Sequence, residues 1–461
     1  MLFSSNVFLF AFLPAVLLMY YLSPRWLRNP VLLLVSLFFY GWGEPAYLLL
    51  MAVTIVLNYL CGAWVHIRRE KGKRMEGVLI FSVVGNMLIL GYFKYAGFFL
   101  DSVQALIPSL SKVSLPEIVL PIGISFYIFQ SLSYVIDVYR QDAPVQKNLL
   151  TFGTYVTLFP QLIAGPIVRY RDVAEQMENR RENISDFASG VHLFVAGLSK
   201  KVLLANPMGN LWNLAQAEQG TAVAWMGIIA YSLQIYFDFS GYSDMARGLG
   251  RMFGFEFLEN FNYPYISRSI TEFWRRWHIS LSTWFREYVY IPLGGNRRGL
   301  KRQIVNLLIV WLLTGLWHGA SWNFVLWGLY YAVFLILEKL FLLKWMERIP
   351  RGVCHVYTLV IVVLGWALFY FESLPALADF LARLFLPQAV TQTGINLISA
   401  HLPLMAVAVF SATPAAKQLL DARKSSTIIR YGKIAAAACA LLLCVAALAR
   451  QSYNPFIYFR F

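Results

Sequence analysis

The sequence predicts an all-α polytopic membrane protein, with about eleven transmembrane helices and further re-entrant or interfacial helices. Three observations lead there. Hydrophobic residues make up 59% of the 461 and charged residues 14%, against about 45–50% and about 25% in a soluble domain. Mean hydropathy is +0.57. The apolar residues gather in repeated runs of the length a helix needs to cross a bilayer, about 20 residues. A soluble multidomain chain of this length is excluded by the first two.

The candidate spans, in order, are 5–22, 30–43, 46–65, 77–95, 117–138, 149–167, 190–207, 222–238, 303–316, 322–343, 353–371, 395–412 and 432–449. Some are too short to cross. The first has no basic segment before it, and Ser23-Pro24-Arg25 follows it in place of a small-residue cleavage site. It is expected to be a retained helix, not a signal peptide. Arg25 and Arg28 follow the first span, and Arg68, Arg69, Lys71, Lys73 and Arg74 follow the third. Positive loops face the cytoplasm, so the N-terminus is expected outside and the Gly43-Glu44-Pro45 turn external. Residues 166–189 form the most polar stretch and are expected as a solvated surface helix or loop. Residues 374–387 carry sparse charge among leucines and fit an interfacial amphipathic helix. No tandem repeat, inverted duplication or linker is evident, so residues 1–461 are expected to form one domain.

The net charge is +15. In a soluble protein that would point to nucleic acid; here the positives sit in short loops beside apolar runs, so membrane orientation explains them. Attraction of an anionic substrate is a second use. Cys61, Cys354, Cys439 and Cys444 have neither metal-ligand spacing nor a disulfide framework.

Chemistry concentrates at two places. His318 lies inside Trp311-Leu-Leu-Thr-Gly-Leu-Trp-His-Gly-Ala-Ser-Trp322. An ionisable group in hydrocarbon is expensive and is a functional-site candidate by default, against the plainer reading of a core histidine bonded across helices. Residues 236–300 are too polar for plain membrane and too aromatic for a plain loop. They hold Asp238, Tyr242, Asp244, Arg275, Arg276, Trp277, His278, Arg286 and Asn296. Polar backbone at membrane depth must be covered by protein or line a cavity, so short helices dipping inward from the interface are expected, one ending at Gly294-Gly295. Each residue also has a bland reading. His278 fits an interfacial histidine equally well, Asp238 and Asp244 fit caps or partners of Arg247, and Arg275, Arg276 and Arg286 fit headgroup anchors. His66, His192, His355 and His401 have no polar company and receive no role.

There is no Gly-x-Ser-x-Gly elbow, no His-Glu-x-x-His helix and no P-loop, and Gly248-x-Gly250-x-x-x-Gly254 fails the dinucleotide spacing. No metal site is expected. A histidine general base remains.

Seven segments together resemble the membrane-bound O-acyltransferase family, in its alginate-acetylating branch. They are Phe3-Ser-Ser-Asn-Val-Phe-Leu-Phe10, Leu120-Pro-Ile-Gly-Ile-Ser-Phe-Tyr127, Leu162-Ile-Ala-Gly-Pro-Ile167, Tyr236-Phe-Asp-Phe-Ser-Gly-Tyr-Ser-Asp-Met245, Glu272-Phe-Trp-Arg-Arg-Trp-His-Ile-Ser-Leu-Ser-Thr-Trp284, Gly315-Leu-Trp-His-Gly319 and Gln451-Ser-Tyr-Asn-Pro-Phe-Ile-Tyr-Phe459. They span nearly the whole chain in the family's order. Arg286-Glu-Tyr288 stands where the family usually has Arg-Asp-Tyr, and the polar linker Ala415–Lys433 is shorter than usual.

The resemblance implies helices around a central tunnel, with His318 as the essential histidine and His278 as the second. It implies acetyl transfer in a bacterial inner membrane, with no bound cofactor. The donor, acetyl-CoA, comes from the cytoplasm, and periplasmic or membrane-anchored partner proteins pass the acetyl group to a polysaccharide: alginate, or else peptidoglycan or another exopolysaccharide. Arg297, Arg298, Lys301 and Arg302 are candidates for the donor phosphates. His278, Trp317, Asn296 or a tyrosine could stabilise the oxyanion. An acetyl-histidine intermediate stays open beside general-base catalysis. So do a proton-coupled transporter or flippase with His318 as relay, and a scaffold that recruits the catalytic partner.

Overall fold

The computed structural model describes residues 1–461 except 111, 112, 117, 164, 416, 419–426, 451–455 and 458–461. Among the described residues the chain is helical, with no strand. Nine helices there are long and apolar enough to cross a membrane: Pro45–Glu70, Glu76–Leu106, Ile184–Ala217, Thr221–Met252, Gly299–His318, Trp322–Met346, Arg351–Tyr370, Gln392–Ser411 and Tyr431–Arg450. Phe8–Leu22 is apolar but shorter. Chain packing defines two units, Met1–Phe194 with Met245–Leu258, and Val195–Asp244 with Glu259–Phe461.

Several expectations are corrected in the first unit. The run 30–43 forms the 14-residue helix Arg28–Gly41, about 21 Å long at 1.5 Å per residue and short of the ~30 Å hydrocarbon core. In the run 117–138 the helix begins only at Ile124, after Gly123 with φ 74°. A side chain at Gly123 would meet the Leu162 carbonyl oxygen at 2.8 Å, so both conformation and space require glycine. The run 149–167 breaks into Leu149–Thr157 and Phe159–Leu162 around Leu158, with ψ 108°. The reason is Pro160, whose ring would clash with the carbonyl four residues back in a continuous helix. The polar stretch 166–189 is not simply solvated: its helix Tyr170–Asn179 buries Tyr170, Val173 and Met177 at helical spacing. Ala164 and most of 451–459, both within family-like segments, lie outside the described residues, as does about half of the 415–433 linker.

Two polar clusters hold this unit. Asn58 and Asn86 exchange amide hydrogen bonds of 3.0 and 2.9 Å, and the Ser82 hydroxyl donates to Asn58 at 3.1 Å. All three are fully buried, as interhelical polar contacts in a membrane bundle must be. The second cluster centres on Glu182. Its carboxylate pairs with Arg28 at 2.7 Å and accepts from the Tyr20 hydroxyl at 2.5 Å. Arg180 donates to Tyr20 at 2.8 Å and to Asn29 at 2.6 Å. Burial alone would raise the Glu182 carboxyl; the Tyr20 hydroxyl and the Arg28 guanidinium offset this and hold it below its ordinary value. A depressed carboxyl stabilises the fold above its unfolded pKa and loses that contribution as pH falls. Glu182→Gln is therefore expected to cost about 1.5–3 kcal/mol at neutral pH, the range for hydrogen bonds to charged groups. Thermal unfolding in detergent should show the gap to the native protein closing in acid.

In the second unit, helices Gly299–His318 and Trp322–Leu337 pack on glycines. A side chain on Gly315 would strike the Phe324 carbonyl and one on Gly328 the Trp311 carbonyl, so the backbones touch. The run 374–387 is the helix Leu374–Phe385, with Leu377, Phe380 and Leu384 on its buried face.

Candidate active site

The segment between helices Thr221–Met252 and Gly299–His318 carries the site, and its position starts from a short helix, Ile270–Arg276. The first amides of any helix lack internal acceptors. Here Ser269 accepts from the Glu272 amide at 3.0 Å. The buried Glu338 carboxylate, from the helix Trp322–Met346, accepts from the Ile270 and Thr271 amides at 2.6 and 2.8 Å and from the Thr271 hydroxyl at 2.7 Å. This cap fixes the helix that leads straight into Trp277 and His278.

Trp277 is buried against Trp366, Phe261 and Phe273, with ring centroids 4.7, 5.0 and 5.5 Å away. Its anchoring forces a sharp turn at the next residue. His278 adopts φ 44° and ψ 54°, a left-handed conformation that costs a non-glycine residue about 1–2 kcal/mol. Strain of this kind gathers at functional sites. The imidazole is 1% exposed. Its Nδ1 lies 3.2 Å from Asn260 Oδ1, and its ring meets Phe239 edge-on at 4.7 Å. Burial pushes its pKa down to about 3, so it is neutral at physiological pH.

His318 ends its helix and is 6% exposed. Its ring packs against Trp327 at 5.0 Å and Phe369 at 5.3 Å. The Trp317 indole touches both histidines, 5.0 Å from His318 and 5.8 Å from His278. The two histidines, 40 residues apart in sequence, thus share one aromatic partner in a water-poor setting.

One cavity reaches His278 and a second adjoins that cavity. An apolar pocket of about 220 Å³ reaches His278 and is lined by Trp274, Leu281, Phe285, Val310 and Trp311 among others. A polar cleft of about 630 Å³ is lined by Arg275, Arg286, Arg297, Arg298 and Lys339, with no acidic residue among its described walls. Arg275, Arg286 and Tyr290 line both, so the cationic cleft and the His278 pocket meet. Gly294 and Gly295, with φ 105° and 55°, turn the cleft's loop. The buried Asn306 amide donates to the Gly295 carbonyl at 3.0 Å and holds that loop in place.

The structure sorts the expected residues. His318, Trp317, His278 and Trp277 form one cluster. Arg275 and Arg286 line the cavities, whereas Arg276 bonds Glu272 at 3.0 Å and the Asn262 carbonyl at 3.1 Å. Of the four cations expected at the donor, Arg297 and Arg298 line the cleft; Lys301 and Arg302 do not, and Arg302 instead donates to the Leu293 carbonyl at 3.2 Å. Asn296 is exposed on the cleft wall. Asp238 pairs with Lys201 at 2.5 Å and Asp244 with Lys200 at 2.6 Å, so the helix-cap reading of these aspartates gives way to ion pairs, the first buried and the second half-buried. Asp238 also accepts from the Ile457 amide at 2.7 Å, and Tyr242 meets Phe456 edge-on at 4.7 Å. These two residues hold the chain's C-terminal segment, while their neighbour Phe239 touches His278. His355 has polar company after all, 3.0 Å from the Ser267 carbonyl. Asn260, Lys201, Lys339 and Glu338 were not singled out in the sequence.

Residues 34–374 match the model of MBOAT, the membrane-bound O-acyltransferase family. The chain is 42% identical over 486 aligned positions to the probable alginate O-acetylase AlgI of Pseudomonas putida, covering 100% of both chains. It is 47% identical over 378 positions to the protein of the same name in Pseudomonas aeruginosa, covering 81% of this chain and 73% of that one. It is 35% identical over 416 positions to the peptidoglycan O-acetyltransferase of Helicobacter pylori, covering 81% of this chain and 78% of that one.

Proposed function

The chain belongs to the membrane-bound O-acyltransferase family, and from that premise we propose that it passes acetyl groups from cytoplasmic acetyl-CoA across a bacterial inner membrane to a polysaccharide, alginate first. The observation that carries the donor assignment is the junction between the five-cation cleft and the apolar pocket that reaches His278. A donor with a polyanionic head and a long neutral thioester arm fits both parts at once. Charge-assisted contacts with Arg297, Arg298 and Lys339 hold phosphate oxygens, and the apolar walls exclude water from the thioester. Full-length similarity to the Pseudomonas putida alginate O-acetylase supports alginate. Similarity to the Helicobacter pylori peptidoglycan enzyme supports peptidoglycan as the second reading.

In the transfer step the acceptor oxygen attacks the thioester carbonyl while His318 takes the acceptor proton. The tetrahedral oxyanion collapses, the carbon–sulfur bond breaks, and the thiolate leaves with the proton His318 returns. The products are an acetyl ester and free coenzyme A thiol. The Trp317 indole is the oxyanion donor the cluster favours, with His278 as an acceptor beside it; Asn296, on the cleft wall, is assigned to the donor's head. The acceptor hydroxyl belongs to a periplasmic or membrane-anchored partner protein or to the sugar. The basic loops support a cytoplasmic cleft and a periplasmic N-terminus.

Alanine at Arg297, Arg298 and Lys339 tests the donor assignment. The donor KM should rise about tenfold per contact worth ~1.4 kcal/mol, with a much smaller fall in kcat and a shallower salt dependence. A fall in kcat at unchanged KM would contradict it.

A further inference from the structure

We infer that Asn260 is a positioning residue for His278, fixing the tautomer in which Nδ1 carries the proton and Nε2 the lone pair. The inference rests on the reading of His278 as a member of the transfer site. Asn260 is 1% exposed, and its Oδ1 meets three groups: the Ser280 amide at 3.0 Å, the Ser280 hydroxyl at 2.9 Å and His278 Nδ1 at 3.2 Å. The Ser280 amide settles the orientation of the side chain. A backbone N–H can only donate, so the atom facing it is the amide oxygen, not the nitrogen. Facing that oxygen, His278 Nδ1 must donate as well. A neutral imidazole with Nδ1–H has its lone pair on Nε2, the form able to receive a proton or hydrogen bond.

The main chain secures the arrangement. The Asn260 carbonyl accepts from the Ile279 amide at 3.0 Å, and the Asn262 amide donates to the Arg276 carbonyl at 2.9 Å. The loop is thereby tied to both sides of the strained His278. The other titratable and charged groups facing His278 are Arg275, Arg286 and Tyr290 across the pocket it shares with them, and His318 beyond Trp317. Burial disfavours a second proton on the ring.

Asn260→Asp and Asn260→Ala test the inference in the purified full-length protein, with His278→Gln as reference. A carboxylate opposite Nδ1 stabilises the imidazolium and raises the ring's pKa by about 1–3 units. The lower acid limb of kcat against pH, the one His278 sets, should move upward by at least one unit in Asn260→Asp. Above that limb Asn260→Asp should recover a larger fraction of the native rate than Asn260→Ala, because the carboxylate still accepts from Nδ1–H. Asn260→Ala should lose at least tenfold in kcat, with the donor KM within twofold and the limb unmoved. A limb in the native place in a folded Asn260→Asp protein, or equal losses in both variants at every pH, would overturn the inference. Full activity in His278→Gln would instead overturn the site reading on which it rests.

Discussion

Replacing His318 by glutamine removes turnover and little else. The side chain keeps its length and a hydrogen-bonding end, and the aromatic packing on Trp317, Trp327 and Phe369 tolerates a planar amide. A positioned general base contributes about 10²–10⁴-fold, so kcat for acetyl transfer should fall by that factor while the donor KM stays within a few-fold. Glutamine cannot take up a proton at neutral pH, so raising the pH should not rescue the rate. Rate measurements with a labelled acetyl donor, on protein shown to be folded by its elution and melting profile, decide the matter. A kcat within tenfold of the native value would remove His318 from the chemistry.

The second large effect is on stability. Lys201 and Asp238 are 3% exposed each and 2.5 Å apart, on helices that span the membrane. Removing one charge of such a pair leaves the other buried and uncompensated, at a cost of about 3–5 kcal/mol. Asp238→Asn should therefore unfold at markedly lower temperature. It should also loosen the C-terminal segment, which loses the acceptor for the Ile457 amide while Lys201 still lies over the Phe456 ring at 4.7 Å. Replacing both charges at once, Lys201→Met with Asp238→Leu, should restore most of the lost stability, because apolar residues of similar size often serve as well as a buried pair. Retained acetyl transfer in the double variant would assign the pair to architecture; a stable but inactive double variant would bring Asp238 into the site.

These residues also show what was legible in the sequence. His318 stood out because an ionisable group in hydrocarbon is costly, and its surroundings matched a family segment. The stretch 236–300 stood out as too polar for plain membrane, but residues 236–252 continue the long helix Thr221–Met252 and the short helices come only after it. His278 and Trp277 were named there, but the strain at His278, its Asn260 partner and the anchoring by Trp277 were not, because a left-handed turn at a histidine has no composition signal. Glu338 and Lys201 were missed where the rule that found His318 would have found them: each is a charge close to or inside an apolar run. Asn260 had no such flag, being one polar residue among many. The helix break at Pro160 was readable from proline's geometry, but hydropathy alone carried the run across it. Cleft membership was the hardest to foresee. Arg275, Arg286 and Lys339 come from three separate elements, and only packing brings them beside Arg297 and Arg298.

The central claim is covalent transfer of an acyl group past a pair of buried histidines. The most direct measurement uses sealed inner-membrane vesicles containing the protein and its polysaccharide-acetylating partners, with the donor face outward. Acetyl-CoA labelled with one isotope in the acetyl group and another in the nucleotide is added outside. The account predicts acetyl label as ester inside the vesicles, nucleotide label wholly outside as free coenzyme A, and neither movement with His318→Gln. Both labels crossing together, or acetyl ester forming at the native rate with His318→Gln, would contradict it.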